Sequence, residues 1–366
     1  MKTLLFFSLF LLLFFAIHYL FYSRVVKKLL VIQKIKKHMV TFLAVNFTFN
    51  ILYVTGRYTD AIPNMFYYLF SITIGISFVL FLYLILHEFI ELFHKSLKNV
   101  DQSKRNFIKK SGDGMLLALS SGYVGAAVYE GSKEPVINVV NAKLFDFSIV
   151  QISDLHIGGL IDRAFVKRAV EQINSLNADI VVITGDLIDS KIDKVKESVL
   201  ELTKIKAKHG IYYVLGNHEY FHQPLEIIEF MKNTSIKLLL NESVTVEALK
   251  VNIVGVTDLF GYRAKQLEPN ITKAYATTNK AYPSIFLVHQ PKFINELRGH
   301  TPKLVLSGHT HGGQIWPFNH LVTLQQPYVK GLHEYTKDSF IYVNSGIGFW
   351  GPPMRLNSQA EIAYIV

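Results

Sequence analysis

The hydrophobic positions of this chain repeat in two different ways, and the change comes after about residue 130. In the N-terminal part, apolar side chains form long, nearly uninterrupted runs at 4–22, 39–55 and 65–86. A helical run of about 17–25 apolar residues is long enough to cross a bilayer. A cleaved signal peptide does not fit 4–22, because no small-residue cleavage site accompanies it and further apolar runs follow. We therefore predict a transmembrane helical region over residues 1–130.

A fourth apolar segment, 115–128, leaves the number of spans at three or four. It is rich in Ala, Gly and Ser and shorter than the roughly 18 residues of a confident span. Residues 103–110 before it resemble a twin-arginine export signal, except that Lys104 replaces the first arginine and the stretch is internal. If 115–128 crosses the membrane, the domain after it lies outside the cytoplasm. We favour the cytoplasmic face, because the segment is so short.

A second pattern begins near residue 142, where short β-branched runs alternate with helical periodicity. The stretch 162–176 has apolar residues at helical spacing, and Asp162 fits its N-cap. Strands are predicted at 147–152, 180–184, 211–215, 238–240, 244–248, 251–256, 285–288, 304–306, 340–343 and 362–366, and further helices at 195–207 and from 224. This alternation predicts an α/β domain, which we assign to residues 131–366.

The distribution of charge supports a membrane region rather than a nucleic-acid-binding one. The net charge is +10, yet residues 1–130 contain 14 Lys or Arg against six Asp or Glu. These basic residues concentrate at 24–37 and 95–110, next to the apolar runs, as the positive-inside rule predicts for cytoplasmic loops. A nucleic-acid-binding protein more often carries its basic face on the soluble domain. We therefore predict a multi-pass protein of the inner membrane with no nucleic-acid partner.

Polar side chains that can bind metal follow five of the predicted strands. Two histidines one residue apart, His309 and His311, follow the apolar run 304–306, and we expect Gly308 to provide the turn that brings them together. A single His-x-His pair is weak evidence for a metal. Four further strand ends carry similar residues, and the candidate ligands are Asp154, His156, Asp186, Asn217, His289, His309 and His311.

The types of these side chains indicate the chemistry. The sequence contains no cysteine, so disulfides and thiolate ligands are excluded. Carboxylate, amide and imidazole ligands suit Mn, Fe or Zn. Seven ligands are too many for one ordinary site but fit two ions that share a carboxylate, and such a pair can bind both reacting oxygens of a phosphoryl displacement. His218 cannot easily point the same way as Asn217, so it is free to donate a proton to the leaving oxygen.

Five blocks in this order resemble the calcineurin-like metallophosphoesterase family over residues 142–366. The blocks are Asp154-x-His156, Gly185-Asp186-x-x-Asp189, Gly216-Asn217-His218-Glu219, His289 and Gly308-His309-x-His311. The resemblance implies a four-layer αββα sandwich. It assigns Asp154, His156, Asp186 and His311 to one metal, and Asp186, Asn217, His289 and His309 to the second. It also makes His218 the catalytic histidine beside the scissile ester, with Asp189 to orient it. The ending, from Ser345 to Arg355, is similar to the membrane-associated branch that acts on phosphodiester or lipid-linked substrates.

Four side chains near these blocks keep alternative interpretations. Asp189 could instead cap a helix that begins near Lys191. Arg355 could grip a substrate phosphate with two hydrogen bonds or pair with Glu361. His222 could contact substrate or face water, and Glu219 could be a salt-bridge partner only.

These expectations combine into a membrane-anchored hydrolase with two divalent metal ions, of which manganese is favoured. Its partners would be membrane lipids and a phosphorylated, lipid-linked substrate. One role known in the family is hydrolysis of UDP-2,3-diacylglucosamine in lipid A biosynthesis, which requires a cytoplasmic-face site. The alternative enzyme is a broad phosphodiesterase that acts on phospholipid headgroups or cell-wall polymers outside the membrane. A non-catalytic receptor or scaffold on a degenerate fold is a third hypothesis, and the complete set of ligands argues against it.

Overall fold

The computed structural model describes residues 2–29, 33–56, 62–96 and 101–366. The chain divides into two compact units. One comprises Met1–Ser132 with Gly351–Met354, and the other comprises Lys133–Trp350 with Arg355–Val366. We call the first the helical unit and the second the sandwich unit. Parts of the two basic stretches, 30–32 and 97–100, lie outside the described residues.

The described residues of the helical unit form four long helices. They are α1 (Lys2–Leu20, continued by a π-helical segment Phe21–Val26), α2 (Gln33–Gly56), α3 (Asn64–Ser96) and α4 (Gln102–Gly131). Among the described residues, three segments are long and apolar enough to cross a membrane: Phe7–Val26, Gln33–Gly56 and Asn64–Ser96. The predicted short segment 115–128 is helical and lies within α4, which is 30 residues long but is not among the three segments apolar enough to cross a membrane.

Hydrogen bonds between buried polar side chains connect α1, α2 and α3. Asn46 Oδ1 lies 2.8 Å from His18 Nε2 and accepts a hydrogen bond from Ser77 Oγ at 3.0 Å. Asn50 donates to Ser77 at 2.7 Å and accepts from Thr73 at 2.7 Å. Helices in an apolar environment are held by such bonds and by close packing, since the hydrophobic effect contributes little there.

The sandwich unit contains two six-stranded mixed sheets. Its strands are β1 (Val136–Val140), β2 (Ile149–Ile152), β3 (Ile180–Thr184), β4 (Ile211–Val214), β5 (Lys237–Leu238), β6 (Glu242–Val246), β7 (Val251–Gly255), β8 (Ser284–Leu287), β9 (Leu304–Ser307), β10 (Gly331–Thr336), β11 (Ser339–Val343) and β12 (Glu361–Ile365). The strand order is β1-β12-β2-β3-β4-β5 in the first sheet and β10-β11-β9-β8-β7-β6 in the second. Strands β2, β3 and β4 are mutually parallel, and so are β8 and β9.

Six shorter helices complete this unit: α5 (Arg163–Ser175), α6 (Ile192–Glu201), α7 (Pro224–Lys232), α8 (Phe260–Ala264), α9 (Ile271–Tyr275) and α10 (Asn319–Val322). The predicted cap of α5 is confirmed, because the Asp162 side chain accepts a hydrogen bond from the Phe165 amide. The helix expected at 195–207 begins earlier, at Ile192, and its last turn is a 3-10 segment, Leu202–Lys204.

Alternate residues of the central strands face two different cores. Ile149 and Val182 of the first sheet pack in one cluster with Ile253 and Leu287 of the second, so the two sheets lie face to face. The outer face of the first sheet packs against α5 and α6, and that of the second packs against α9 and the 3-10 segment Pro291–Glu296. The order of layers is helix, sheet, sheet, helix, which confirms the expected αββα sandwich.

Candidate metal centre

The predicted metal ligands lie at the carboxyl ends of strands from both sheets. Asp154, Asp186 and Asn217 follow β2, β3 and β4, whereas His289 and His309 follow β8 and β9. Parallel neighbours in a sheet end at the same edge, so each sheet brings its own residues together. The face-to-face packing of the sheets then joins the two sets into one buried cluster.

A first group consists of Asp154, His156 and His311, which offer ligand atoms within 4.8 Å of one another. The Nε2 atoms of the two histidines are 3.0 Å apart, and His311 Nε2 is 3.5 Å from Asp154 Oδ1. Asp186 borders this group, because its Oδ2 lies 3.9 Å from His156 Nε2.

A second group consists of Asp186, His289 and His309. His289 Nε2 lies 3.1 Å from Asp186 Oδ2 and 3.2 Å from His309 Nδ1. The other ring nitrogen of His289 donates to the Thr184 carbonyl at 2.8 Å, which fixes the ring so that Nε2 faces the group. Asn217 Oδ1 is buried and has no hydrogen-bond partner. The two groups therefore meet at Asp186.

The electrostatics of both groups fit divalent cations. Burial lowers the pKa of His156 and that of His309 to about 3, so both rings are neutral and able to act as ligands. Burial raises the pKa of Asp154 to about 6. Burial also tends to lower the pKa of His289, but the charge of Asp186 raises it well above its usual value. The carboxylates thus attract positive charge into a space lined by nitrogen and oxygen acceptors, which is the ligand set of borderline metals.

The backbone at this cluster is strained. Most candidate ligands have positive φ angles, which are unfavourable for residues other than glycine. These are Asp154 (53°), His156 (53°), Asp186 (49°), His309 (71°) and His311 (49°). Such strain concentrates at functional sites. We expected Gly308 to supply the turn through backbone angles that favour glycine, and this was wrong. The histidines themselves adopt the left-handed angles, whereas glycine is needed at 308 because a Cβ atom there would overlap Ser153 and Asp154.

His218 lies beside both groups and contacts Asp189. Its Nδ1 is 2.8 Å from Asp189 Oδ1, and its Nε2 is 3.9 Å from Asp186 Oδ2. The rings of Phe221 and Trp350 contact the His218 ring edge to face. Asp189 does not cap α6, whose N-cap is Lys191 without a side-chain hydrogen bond. The geometry thus favours the orienting role of Asp189 over the capping one.

Glu219 has a role that the sequence analysis missed. Its buried carboxylate accepts hydrogen bonds from four backbone amides, at distances of 2.7–3.2 Å. These amides belong to Asp186, Leu187, Ile188 and Gly216. Glu219 therefore holds the turn after β3 against the turn after β4. Its position directly after His218 could have indicated this role, because a carboxylate buried beside a site residue needs several hydrogen-bond donors.

Arg355 and His222, the two predicted substrate contacts, both have hydrogen-bond partners within the protein. Arg355 is buried, and its guanidinium donates to the backbone carbonyls of Ser345, Gly346, Gly348 and Ser358. These four carbonyls lie on the loop before β12, which favours a structural role for Arg355, and its contact with a substrate phosphate stays a prediction. The pairing with Glu361 is not observed either, since Glu361 accepts from Ser345, Tyr342 and Asn138. His222 is partly exposed and lies 3.0 Å from Asp189 Oδ1.

Comparisons with known proteins agree with this geometry. The calcineurin-like phosphoesterase family matches residues 147–313. A protein of Helicobacter pylori described as an uncharacterized metallophosphoesterase is 37% identical over 358 residues, which cover 93% of each chain. The chain belongs to the calcineurin-like metallophosphoesterase family. It is thus a phosphoester hydrolase, and enzymes of this family use a dimetal centre.

Two other relatives concern the substrate class and the membrane location. A UDP-2,3-diacylglucosamine pyrophosphatase, LpxG, of Chlamydia trachomatis is 31% identical over 281 residues, which cover 60% of this chain and 83% of that protein. A transmembrane protein with a metallophosphoesterase domain from Danio rerio is 33% identical over 231 residues, which cover 60% of this chain and 52% of that protein. The transmembrane relative and the three apolar helices indicate that this metallophosphoesterase is a membrane protein.

Proposed function

We propose that this metallophosphoesterase cleaves a phosphodiester or pyrophosphate bond of a lipid-linked substrate, with UDP-2,3-diacylglucosamine of lipid A biosynthesis as the candidate. Residues 1–130 would serve as the membrane anchor and residues 131–366 as the catalytic domain. The observation that carries the proposal is the cluster of buried metal ligands next to His218, in a chain with three helices apolar enough to cross a membrane.

Two metal ions would be held by the two groups of ligands. Asp154, His156 and His311 would bind one ion, and Asn217, His289 and His309 the other, with Asp186 shared between them. Bound there, divalent ions would neutralise the phosphate oxygens and activate the attacking water. We favour manganese, and elemental analysis of the purified protein tests that choice.

His218 would act as the proton donor to the leaving oxygen. A general acid must lie within hydrogen-bonding reach of the atom that it protonates. The Nδ1 atom of His218 is held by Asp189, so its Nε2 faces the cluster. Asp189 would keep the ring in this orientation and stabilise its protonated form.

Support for a lipid-linked substrate comes from the surroundings of His218. Phe221 is 53% exposed and Trp350 is 49% exposed, although both rings contact His218. Exposed aromatic rings beside a polar site are suited to an apolar part of a ligand. The pyrophosphatase LpxG among the relatives acts, by its name, on such a molecule.

The direct test uses the full chain in detergent micelles with Mn²⁺ and UDP-2,3-diacylglucosamine. Hydrolysis adds water across the pyrophosphate, so UMP and the diacylglucosamine 1-phosphate should appear in equal amounts. His311→Ala should nearly abolish both products, because it removes a metal ligand. His320→Ala is the matched control, since His320 is an exposed histidine on α10 and should keep full activity.

Three outcomes separate the alternatives. UMP release by the wild type, with little or none by His311→Ala, supports the candidate substrate. Hydrolysis of bis(p-nitrophenyl) phosphate or of phospholipid headgroups without UMP release would favour the broad phosphodiesterase. Equal rates for wild type and His311→Ala would reject the metal assignment. Separately, a reporter fused after Ser132 would test the cytoplasmic-face orientation, and an external signal would contradict the lipid A role.

A further inference from the structure

The Asp189 carboxylate has more than one histidine neighbour. Its Oδ1 atom is 2.8 Å from His218 Nδ1 and 3.0 Å from His222 Nε2. Its Oδ2 atom is 4.0 Å from Nδ1 of His156, a buried nitrogen without a hydrogen-bond partner. A single carboxylate thus lies among three imidazoles, of which only His218 is the proposed proton donor.

The chain fixes the position of His222 independently of the metal ligands. His222 ends the 3-10 segment Glu219–Phe221, and the next residue, Gln223, has a left-handed backbone with φ of 63°. Pro224 then starts α7. Because a proline ring fixes its own φ angle, the turn after His222 has little freedom. The imidazole is therefore held beside Asp189 by local backbone structure.

We propose that His222 is a positioning residue for the acid: it holds Asp189 Oδ1 against His218. The backbone amide of Asp189 donates to Ile157 at 3.0 Å, so its main chain is fixed and its carboxylate is the part that can rotate. Without His222, the carboxylate could turn towards His156 Nδ1. His218 would then lose the hydrogen bond that orients its ring. This role differs from the substrate contact that the sequence suggested, and it rests on the proposed function of His218.

The experiment compares His222→Ala with the wild type in the full chain, in detergent with Mn²⁺. We expect kcat to fall about tenfold on diphenyl phosphate, the range for loss of one charge-assisted hydrogen bond, while KM changes less than about twofold. On bis(p-nitrophenyl) phosphate the loss should be smaller, because its leaving group needs little protonation. A purely structural role would lower both rates equally.

Two further variants make the test specific. His222→Gln retains an amide nitrogen that can reach Asp189 Oδ1, so it should recover most of the lost rate. In an Asp189→Ala background, His222→Ala should cause no further loss, because the two residues act through one contact. Metal content and the thermal midpoint of each variant establish that it is folded and loaded.

The outcomes distinguish this inference from the proposed function. An active wild type with an unchanged His222→Ala variant would overturn the inference alone. Equal losses on both substrates, or additive losses with Asp189→Ala, would also overturn it. A wild type that hydrolyses neither these two esters nor UDP-2,3-diacylglucosamine would overturn the proposed function, and the inference with it.

Discussion

The helical unit and the sandwich unit both bury polar side chains, but they use them differently. Asn50 is 0% exposed between the helices, and Asp186 is 2% exposed at the strand ends. Asn50 bonds to Ser77 and Thr73, so its polar atoms are satisfied by the protein. At the strand ends, by contrast, Asp186 Oδ2 faces ring nitrogens that also face one another. Buried groups that satisfy each other stabilise a fold, whereas groups that lack partners indicate a ligand.

Two buried polar side chains of the helical unit are exceptions to this contrast, because they include atoms without hydrogen-bond partners. Asn46 Nδ2 is buried without a hydrogen-bond partner. His87 is fully buried and lies 3.6 Å from Asp113 and 3.9 Å from Glu91, with no hydrogen bond to either. Here one imidazole faces a carboxylate on each side. The sandwich unit differs because several neutral imidazoles converge on shared carboxylates.

The strongest test of the contrast is Asp186→Asn, because this carboxylate borders both groups of ligands. We expect kcat/KM to fall about 1000-fold or more, since the neutral amide cannot neutralise two cations. Metal content per chain, measured by elemental analysis, should fall with it. Asp179→Asn, a carboxylate of the same unit distant from the cluster, serves as control. Activity within tenfold of the wild type would contradict the shared role of Asp186.

Glu219→Gln tests whether protein donors alone can satisfy a carboxylate beside the metal ligands. Each Glu219 oxygen accepts from two backbone amides, so the new amide group would place its hydrogens against backbone N–H donors. We expect a loss of about 3 kcal/mol in stability, read as a lower thermal midpoint, together with reduced activity. Glu229→Gln, an exposed glutamate on α7, should change neither. A stable, fully active Glu219→Gln variant would show that the four bonds contribute little.

The alternation of short apolar runs with helical patterns predicted an α/β domain, and the polar residues at strand ends were visible because they are local signals. The sandwich arrangement itself was implied by the family resemblance. Strand β3 was predicted with the observed bounds, Ile180–Thr184. Strands β1 and β10 were missed: both are partly exposed, and β10 contains His333 and Glu334, which weaken its apolar pattern. The orientation of Arg355 and the shared hydrogen bonds of Asp189 could not be predicted, since they depend on tertiary contacts. The positive φ angles of the histidines could not be predicted either, since they too depend on tertiary contacts.

A pair of asparagine substitutions, one in each unit, compares the units directly. Asn50→Ala removes hydrogen bonds between helices, so it should lower stability by about 1 kcal/mol and leave kcat/KM within twofold. Asn217→Ala removes an unpaired oxygen from the cluster, so it should lower kcat/KM about tenfold to 100-fold with little change in the thermal midpoint of chelator-treated protein. If Asn217→Ala instead mainly destabilised the metal-free protein, Asn217 would be a stabilising residue like Asn50, and the contrast between the two units would not hold.

The smallest expected effect concerns Asp179, a carboxylate of the sandwich unit that is satisfied by the protein. Burial tends to raise its pKa, but hydrogen bonds from Lys208 and Ser148 lower the pKa to about 2. An unfolded aspartate titrates near about 3.9, so this group stabilises the fold above that pH and loses its contribution as the pH falls towards 2. Asp179→Asn should therefore lower the thermal midpoint at pH 7 by an amount equivalent to about 1 kcal/mol, and the difference from wild type should shrink between pH 4 and pH 2. The measurement is a series of thermal unfolding curves in chelator, with Asp146→Asn as the control. A difference that stayed constant over this pH range would mean that the side chain stabilises the turn by its shape rather than by its charge.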